Sequence, residues 1–170
     1  MLESALETPR LRLLLESTET VLARIEALSP EDRAEVSAGW LERVRAAPPS
    51  PWTHGFSIIE RSSDCSIGGC AFKGPPDDQG SVEIAYQIDP GYRGLGYAKE
   101  AAMALIGIAA ELGAKEVRAH TLPEFGPSTL VLSACGFQKI GEVVDLEDGL
   151  VWRWQRKASP EQTVTRNGPR

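Results

Sequence analysis

Cysteine is scarce: Cys65, Cys70 and Cys135 are an odd set with no C-x-x-C pair. Neither a disulfide framework nor a thiolate zinc site can be built from that pattern, so small buried or half-exposed thiols and no metal are expected. Histidine is scarcer still, with His54 and His120 alone. Positive charge is in deficit, since 18 Lys and Arg against 24 Asp and Glu give a formal charge of −6 and a pI near 5.0. Nucleic-acid binders usually carry a basic face, so no nucleic-acid partner is expected, and an acidic surface suits a basic or amine-bearing partner instead. No apolar run reaches the length of a membrane span. Met1-Leu2-Glu3-Ser4 also lacks the basic and hydrophobic regions of a secretory leader, so the expectation is a cytoplasmic protein with no membrane partner. The dinucleotide fingerprint G-x-G-x-x-G is missed, because Gly94-x-Gly96 is followed by Lys99 where its last glycine would stand. A Walker lysine is missing too, which argues against nucleotide hydrolysis.

What is present fits one domain. A chain of 170 residues is long enough for a single substantial core, here placed over residues 1–158, with a polar, disordered tail at 159–170. Its organising stretch runs from Ser81 to Leu112. Val82, Ile84, Tyr86 and Ile88 alternate with Glu83, Ala85 and Gln87, the period of a half-buried strand, which puts Glu83 in mid-strand. Asp89-Pro90-Gly91 ends that strand, and Arg93-Gly94-Leu95-Gly96-Tyr97-Ala98 leads into a helix whose apolar residues Ala101, Ala102, Leu105, Ile108, Ala109 and Leu112 recur at helical spacing. A glycine loop feeding a helix N-terminus presents unpaired N–H groups and the positive end of the macrodipole, which suits phosphate; Arg93 adds charge. By spacing alone the glycines could equally be turn residues.

The six residues from Arg93 to Ala98 resemble the (Gln/Arg)-x-x-Gly-x-(Gly/Ala) signature of the GCN5-related N-acetyltransferases. Their neighbours match as well: Glu83-Ile84-Ala85-Tyr86 resembles the family's fourth strand and Tyr97 to Ala101 its third helix. Thr8-Pro9-Arg10-Leu11-Arg12-Leu13 resembles the opening of the subgroup of ribosomal-protein N-terminal acetyltransferases. The resemblance covers about Glu7 to Arg156. It implies a mixed α/β fold, a mostly antiparallel sheet flanked by helices, in which the strands at Glu83–Asp89 and Glu116–Thr121 splay apart to admit a thioester arm. It also implies acetyl-CoA as cofactor, held by Ile88, Asp89, Arg93, Gly94, Leu95, Gly96, Tyr97, Ala98 and Ser128. Backbone N–H groups near Ile88 and Asp89 would polarise the thioester oxygen.

An acceptor amine must lose a proton before it attacks, and Glu83 is the candidate base, directly or through water. A paired carboxylate that supports the sheet is the equal alternative. His120, at a strand end beside the same gap, is the second candidate. Positioning alone could also carry much of the rate. Two departures from the family pattern stand out. Phe125 replaces an asparagine that helps orient the cofactor arm, and Leu132 stands where many relatives place a tyrosine acid. The implied activity is transfer of acetyl to a primary amine, for instance a protein N-terminus. A small-molecule amine acceptor, or a non-catalytic acyl-CoA sensor, are the alternatives.

Around this centre the pattern predicts a strand at Arg10–Leu15, a helix capped at Ser17 or Thr18, and one helix from Ser29-Pro30 to about Ala46. Further strands are predicted at Phe56–Arg61, Ser66–Lys73 with a bulge marked by Gly68 or Gly69, Phe137–Val144 and Leu150–Arg156. Trp40 and Trp52 are expected to pack helices on the sheet more readily than to shape the acceptor site, and His54 to be a loop or surface residue. Trp152 and Trp154 share a face turned to a helix or to a partner subunit of a homodimer.

Overall fold

A computed structural model describes residues 5–159. Most of the tail expected at 159–170 lies outside the described residues. Among the described residues eight strands form one sheet in the order β1-β2-β3-β4-β5-β6-β8-β7. They are β1 Ala5–Glu7, β2 Leu11–Leu15, β3 Phe56–Glu60, β4 Cys65–Phe72, β5 Ser81–Ile88, β6 Glu116–Thr121, β7 Gln138–Asp145 and β8 Gly149–Lys157. Every neighbouring pair is antiparallel except β5 and β6, which run parallel. The mixed, mostly antiparallel sheet expected from the sequence is therefore what forms.

Among the described residues five α-helices accompany it: α1 Thr18–Glu26, α2 Pro30–Ala34, α3 Ala38–Ala46, α4 Tyr97–Glu111 and α5 Pro127–Ala134. α4 packs on β2, β4 and β5 and touches α5. Ala101, Ala102, Leu105, Ile106, Ile108 and Ala109 are all buried along it, beside Ile58, Ile67, Ile84 and Val117 of the sheet. Each fully buried leucine or isoleucine contributes about 1.5–3 kcal/mol, so this interface is the main source of stability for the helix. The helix stops at Glu111. Gly113 takes φ 89°, its N–H bonds Ala110 O, and Ala114 N–H reaches back to Ala109 O, a Schellman closure.

The single helix expected from Ser29 to Ala46 is two. Glu35 closes α2, and Ser37, in extended conformation, opens α3 by accepting from Trp40 N. A serine that can cap competes with helix continuation, and here the cap wins. β1, which pairs with β2, is an addition to the expected strands. The bulge of β4 falls at Ile67, where the β3 register steps from Ile58 to Ile59. Gly68 serves close approach instead: a Cβ there would stand 2.1 Å from Gln87 O. A second bulge falls between Lys139 and Gly141.

His54 lies in the turn before β3, as expected of a loop residue, but not at the surface. It is 2 % exposed, its ring nitrogens 2.8 Å from the hydroxyls of Thr18 and Thr53. Trp52 packs its ring on Phe72, whereas Trp40 donates its indole N–H to Thr53 O. Trp152 and Trp154 are buried, their indole N–H groups donating to Glu142 and Thr121. Cys70 and Cys135 are buried and Cys65 is exposed, all three as free thiols. Among the described residues no helix is long and apolar enough to cross a membrane, and no three His, Cys, Asp or Glu side chains are placed to hold a metal ion.

Candidate active site

The loop between β5 and α4 follows from its residues. Pro90–Tyr92 makes a single tight turn, and Gly94 and Gly96 then take φ 77° and 85°, values that a side chain would strain. Gly96 is the N-cap of α4 and offers no side chain to the first N–H groups of the helix. Those donors stand at the positive end of a 15-residue helix, a place that suits an anion. Arg93 turns back, its Nε donating to Ile88 O at 2.9 Å, so part of its charge is spent on fastening the loop to the end of β5. Tyr97 is buried, with its hydroxyl donating to Glu60 Oε2 at 2.5 Å.

Sequence reasoning missed the residue that braces this loop from outside. Arg10 donates from Nη1 to Leu95 O at 2.8 Å and from Nε to Glu100 Oε1 at 2.9 Å, and its guanidinium lies 4.4 Å from the centre of the Tyr97 ring. Arg10 and the loop are 85 residues apart in the chain, and no periodicity or spacing connects them.

Beside the loop the sheet opens. β5 pairs with β6 only through Ser81, Val82 and Glu83 against Glu116, Val117 and Arg118, after which the strands diverge. The β4 register decides which backbone groups meet the gap. Lys73 N bonds Glu83 O, and Asp89 N bonds Ile67 O at 2.8 Å, so the odd-numbered residues of β5 face β4. The amides of Tyr86 and Ile88 therefore turn to the opening. This corrects the expectation for Asp89, whose N–H is consumed within the sheet and is not available to polarise a thioester. The Ile88 amide keeps the orientation that task needs.

Glu83 and His120, weighed separately on sequence, are brought together. Glu83 is the last β5 residue paired with β6, and His120 lies two residues beyond the matching end of the pairing. His120 Nδ1 is in ion-pair contact with Glu83 Oε1, off the line of a hydrogen bond. Arg153 Nε donates to His120 Nε2 at 3.1 Å. A guanidinium can only donate, so Nε2 accepts and the ring proton sits on Nδ1, towards Glu83. Lys73 Nζ lies 3.4 Å from Glu83 Oε2, and Asp145 Oδ2 is 4.0 Å from the imidazole. The Asp145 carboxyl is held below its usual range, first by the N–H groups of Asp148 and Glu147. Lys73 and Arg153 are further site residues that the sequence did not announce.

Glu83 stands between two cavities. On one side a groove of about 1230 Å³ runs along β5 to Asp89, walled by Trp40, His54, Phe72 and Tyr86 and by the β7–β8 turn at Leu146. Its charged lining is mainly acidic: Glu16, Glu35, Glu83, Asp89, Asp145 and Glu147 against Arg24, Arg43 and Lys73. On the other side a pocket of about 210 Å³ holds His120, Arg118 and Arg153. The departures noted in the sequence are visible as well. Phe125 is 80 % exposed and sets its ring edge-on to Trp152, 4.7 Å between centres. Ser128 is exposed at the second position of α5, and Thr129, not Ser128, closes that helix start by bonding Gly126. Leu132 is buried in the core.

An anion receptor beside a split sheet, with a carboxylate and an imidazole at the split, has a counterpart among known families. The profile described as "Acetyltransferase (GNAT) domain" matches residues 8–138, more than half of the chain. The chain belongs to the GNAT acetyltransferase family. Within it, the GNAT domain is 36 % identical over 93 residues to the uncharacterized N-acetyltransferase p20 of Bacillus licheniformis, covering 54 % of this chain and 52 % of that protein. It thus spans about half the length of the curated relatives it matches. A chimera of the spermidine N-acetyltransferase SpeG from Vibrio cholerae superposes with a TM-score of 0.69 at 16 % identity, covering 91 % of this chain and 99 % of that one. RimL, a ribosomal alpha-N-protein acetyltransferase in complex with coenzyme A, superposes at 0.66 and 16 % identity over 88 % and 95 %. At those identities the likeness is one of fold.

Proposed function

We propose that this GNAT domain transfers the acetyl group of acetyl-CoA to a primary amine. The observation that carries the reading is the placement of an uncapped helix start, at Gly96, shortly after the end of β5, the strand that parts from β6 beyond Glu83. The helix end suits the diphosphate of the donor, and the parting suits its thioester arm, with the Ile88 amide directed at the carbonyl oxygen. Leu95, Tyr97 and Ala98 complete the backbone of that cradle, and Ser128 stands at the facing helix. Relatives of this fold solved with coenzyme A or acetyl-CoA support the donor.

In the reaction the ammonium form of the acceptor gives a proton to Glu83, directly or through water. The freed nitrogen attacks the thioester carbon, the C–S bond breaks, and the second proton of the nitrogen passes, directly or through water, to the departing sulfur, so that the amide and the free thiol of coenzyme A result. Glu83 is supported as base by its place at the split, where the His120 ring stands against its carboxylate. Lys73 and Arg153 hold the pair in place. The acidic groove favours a positively charged acceptor. Among similar folds the acceptors named include both a ribosomal protein N-terminus and spermidine. The proposal takes residues 1–158 as one catalytic domain working in the cytoplasm; pairing of two copies is a sedimentation measurement.

The test is free-thiol release from acetyl-CoA across N-terminal peptides, polyamines and other small amines, with the parent and Glu83→Gln. Turnover with one acceptor class, with kcat reduced about a hundredfold in the variant, is expected. Coenzyme A binding without turnover of any amine would favour the sensor reading, for which the burial of Leu132 and the exposed Phe125 ring are the supporting observations.

A further inference from the structure

Arg10 lies outside the signature that forms the anion loop, yet it contacts three parts of it. Its main-chain N–H and Nε donate to the two oxygens of Glu100, each at 2.9 Å, in the first turn of α4. Thr8 Oγ1 adds a third bond to Glu100 Oε2 at 2.6 Å. Nη1 holds the Leu95 carbonyl at 2.8 Å, and the plane of the group covers the Tyr97 ring. Nη2 stands 3.2 Å from the point a Cβ on Gly96 would occupy, so the guanidinium itself fills the space beside the helix cap. We propose that Arg10 is the positioning residue of the anion loop: it fixes the backbone of residues 95–97 in the shape that receives a diphosphate ester. The inference rests on the donor reading above.

Two physical effects combine in this clamp. Holding the Leu95 carbonyl outward leaves the following N–H groups to face the ligand, so the loop needs no reordering when the anion arrives. Glu100 would otherwise place an uncompensated negative charge in the first turn of the helix that must receive an anion. Arg10 cancels that charge at contact distance. Burial pushes the Glu100 carboxyl up, but the bonds from Thr8 and Arg10 more than offset it and hold the group below its usual range, so it is ionised at neutral pH and needs the cancellation. The task calls for a planar fork with donors in three directions. A lysine supplies one charged centre and no fork.

The test compares coenzyme A with pantetheine, which lacks the diphosphate, by equilibrium titration of the full chain, its Arg10→Ala variant and its Arg10→Lys variant. The ratio of the two dissociation constants isolates what the loop contributes. Loss of Arg10 is expected to lower that ratio about tenfold or more in the alanine variant, and the lysine variant is expected to stay low. A residue that merely packs β2 on α4 would weaken both ligands alike, so an unchanged ratio overturns the proposal. Restoration of the parent ratio by lysine also overturns it, because charge alone would then suffice. If the parent binds coenzyme A but acetylates no amine, the reading of the function fails while the ratio still decides this one. If the parent binds no coenzyme A, both fall.

Discussion

Two kinds of helix start coexist in this molecule. α1, α2 and α3 each open on a serine whose Oγ accepts from the residue three further on: Ser17 from Thr20 N, Ser29 from Asp32 N and Ser37 from Trp40 N, at 3.1, 3.1 and 3.3 Å. α4 opens on Gly96 with no cap at all. The first three helices bury little, Val21 in α1, nothing in α2 and Val44 in α3, so an internally satisfied end is a large share of what holds them. α4 is fastened by a wholly buried face and by its Schellman closure, and can leave its N-terminus unsatisfied. An open helix end is tolerable where packing holds the helix by other means, and the open end is then free for a ligand.

Giving α4 a side chain like those of the other helices is the strongest way to break this contrast. Gly96→Asp puts a carboxylate where the anion is received and a Cβ at positive φ beside Arg10 Nη2. Coenzyme A binding should weaken about a hundredfold. The melting temperature should fall by only about 2–4 °C, since aspartate tolerates the left-handed region. Binding that survives would show that the helix end is not the receptor. The reverse experiment has a smaller effect. Ser17→Ala should cost about 1 kcal/mol of stability and leave coenzyme A affinity within twofold of the parent, measured by denaturation and titration on one preparation.

The smallest effect is a pH dependence confined to the capped side. Burial lowers the pKa of His54, with Glu16 offsetting part of the shift, and the imidazole contacts Thr18 at the first turn of α1. A depressed histidine means that the unfolded chain takes up the proton first. Its contribution to stability is therefore complete above the unfolded value of about 6.5 and declines as pH falls below it. A charged ring at a helix N-terminus is unfavourable besides. The melting temperature should drop between pH 7 and pH 5, with a shallower slope in His54→Gln. An equal slope in both would assign the effect elsewhere.

Much of the site is legible in short stretches of the chain. The β5 alternation places Glu83 in mid-strand, and the glycine loop places the helix start. Serine caps at residues 17 and 29 follow from the same kind of local rule; the cap at Ser37 escapes the sequence reading, and with it the break between α2 and α3. These features depend on a residue and the few that follow it. The contacts that shape the site do not. Arg10 meets Glu100 across 90 residues, Glu83 meets His120 only because β5 and β6 run parallel in one register, and Asp89 loses its amide to Ile67 on the neighbouring strand. His54 defeats a local reading because burial belongs to the surroundings of a residue and not to its neighbours in the chain.

By itself, then, the sequence determined where most of the strands and helices lie, which helix start is open, and through its motif the family. Backbone conformation and capping are settled within a turn of chain, and such information is written locally. The tertiary structure alone decided which carboxylate faces which imidazole, which β5 amides reach the gap, and that a guanidinium from the N-terminal segment steadies the loop. Each of those depends on strand order and register, a choice made by packing the whole core at once.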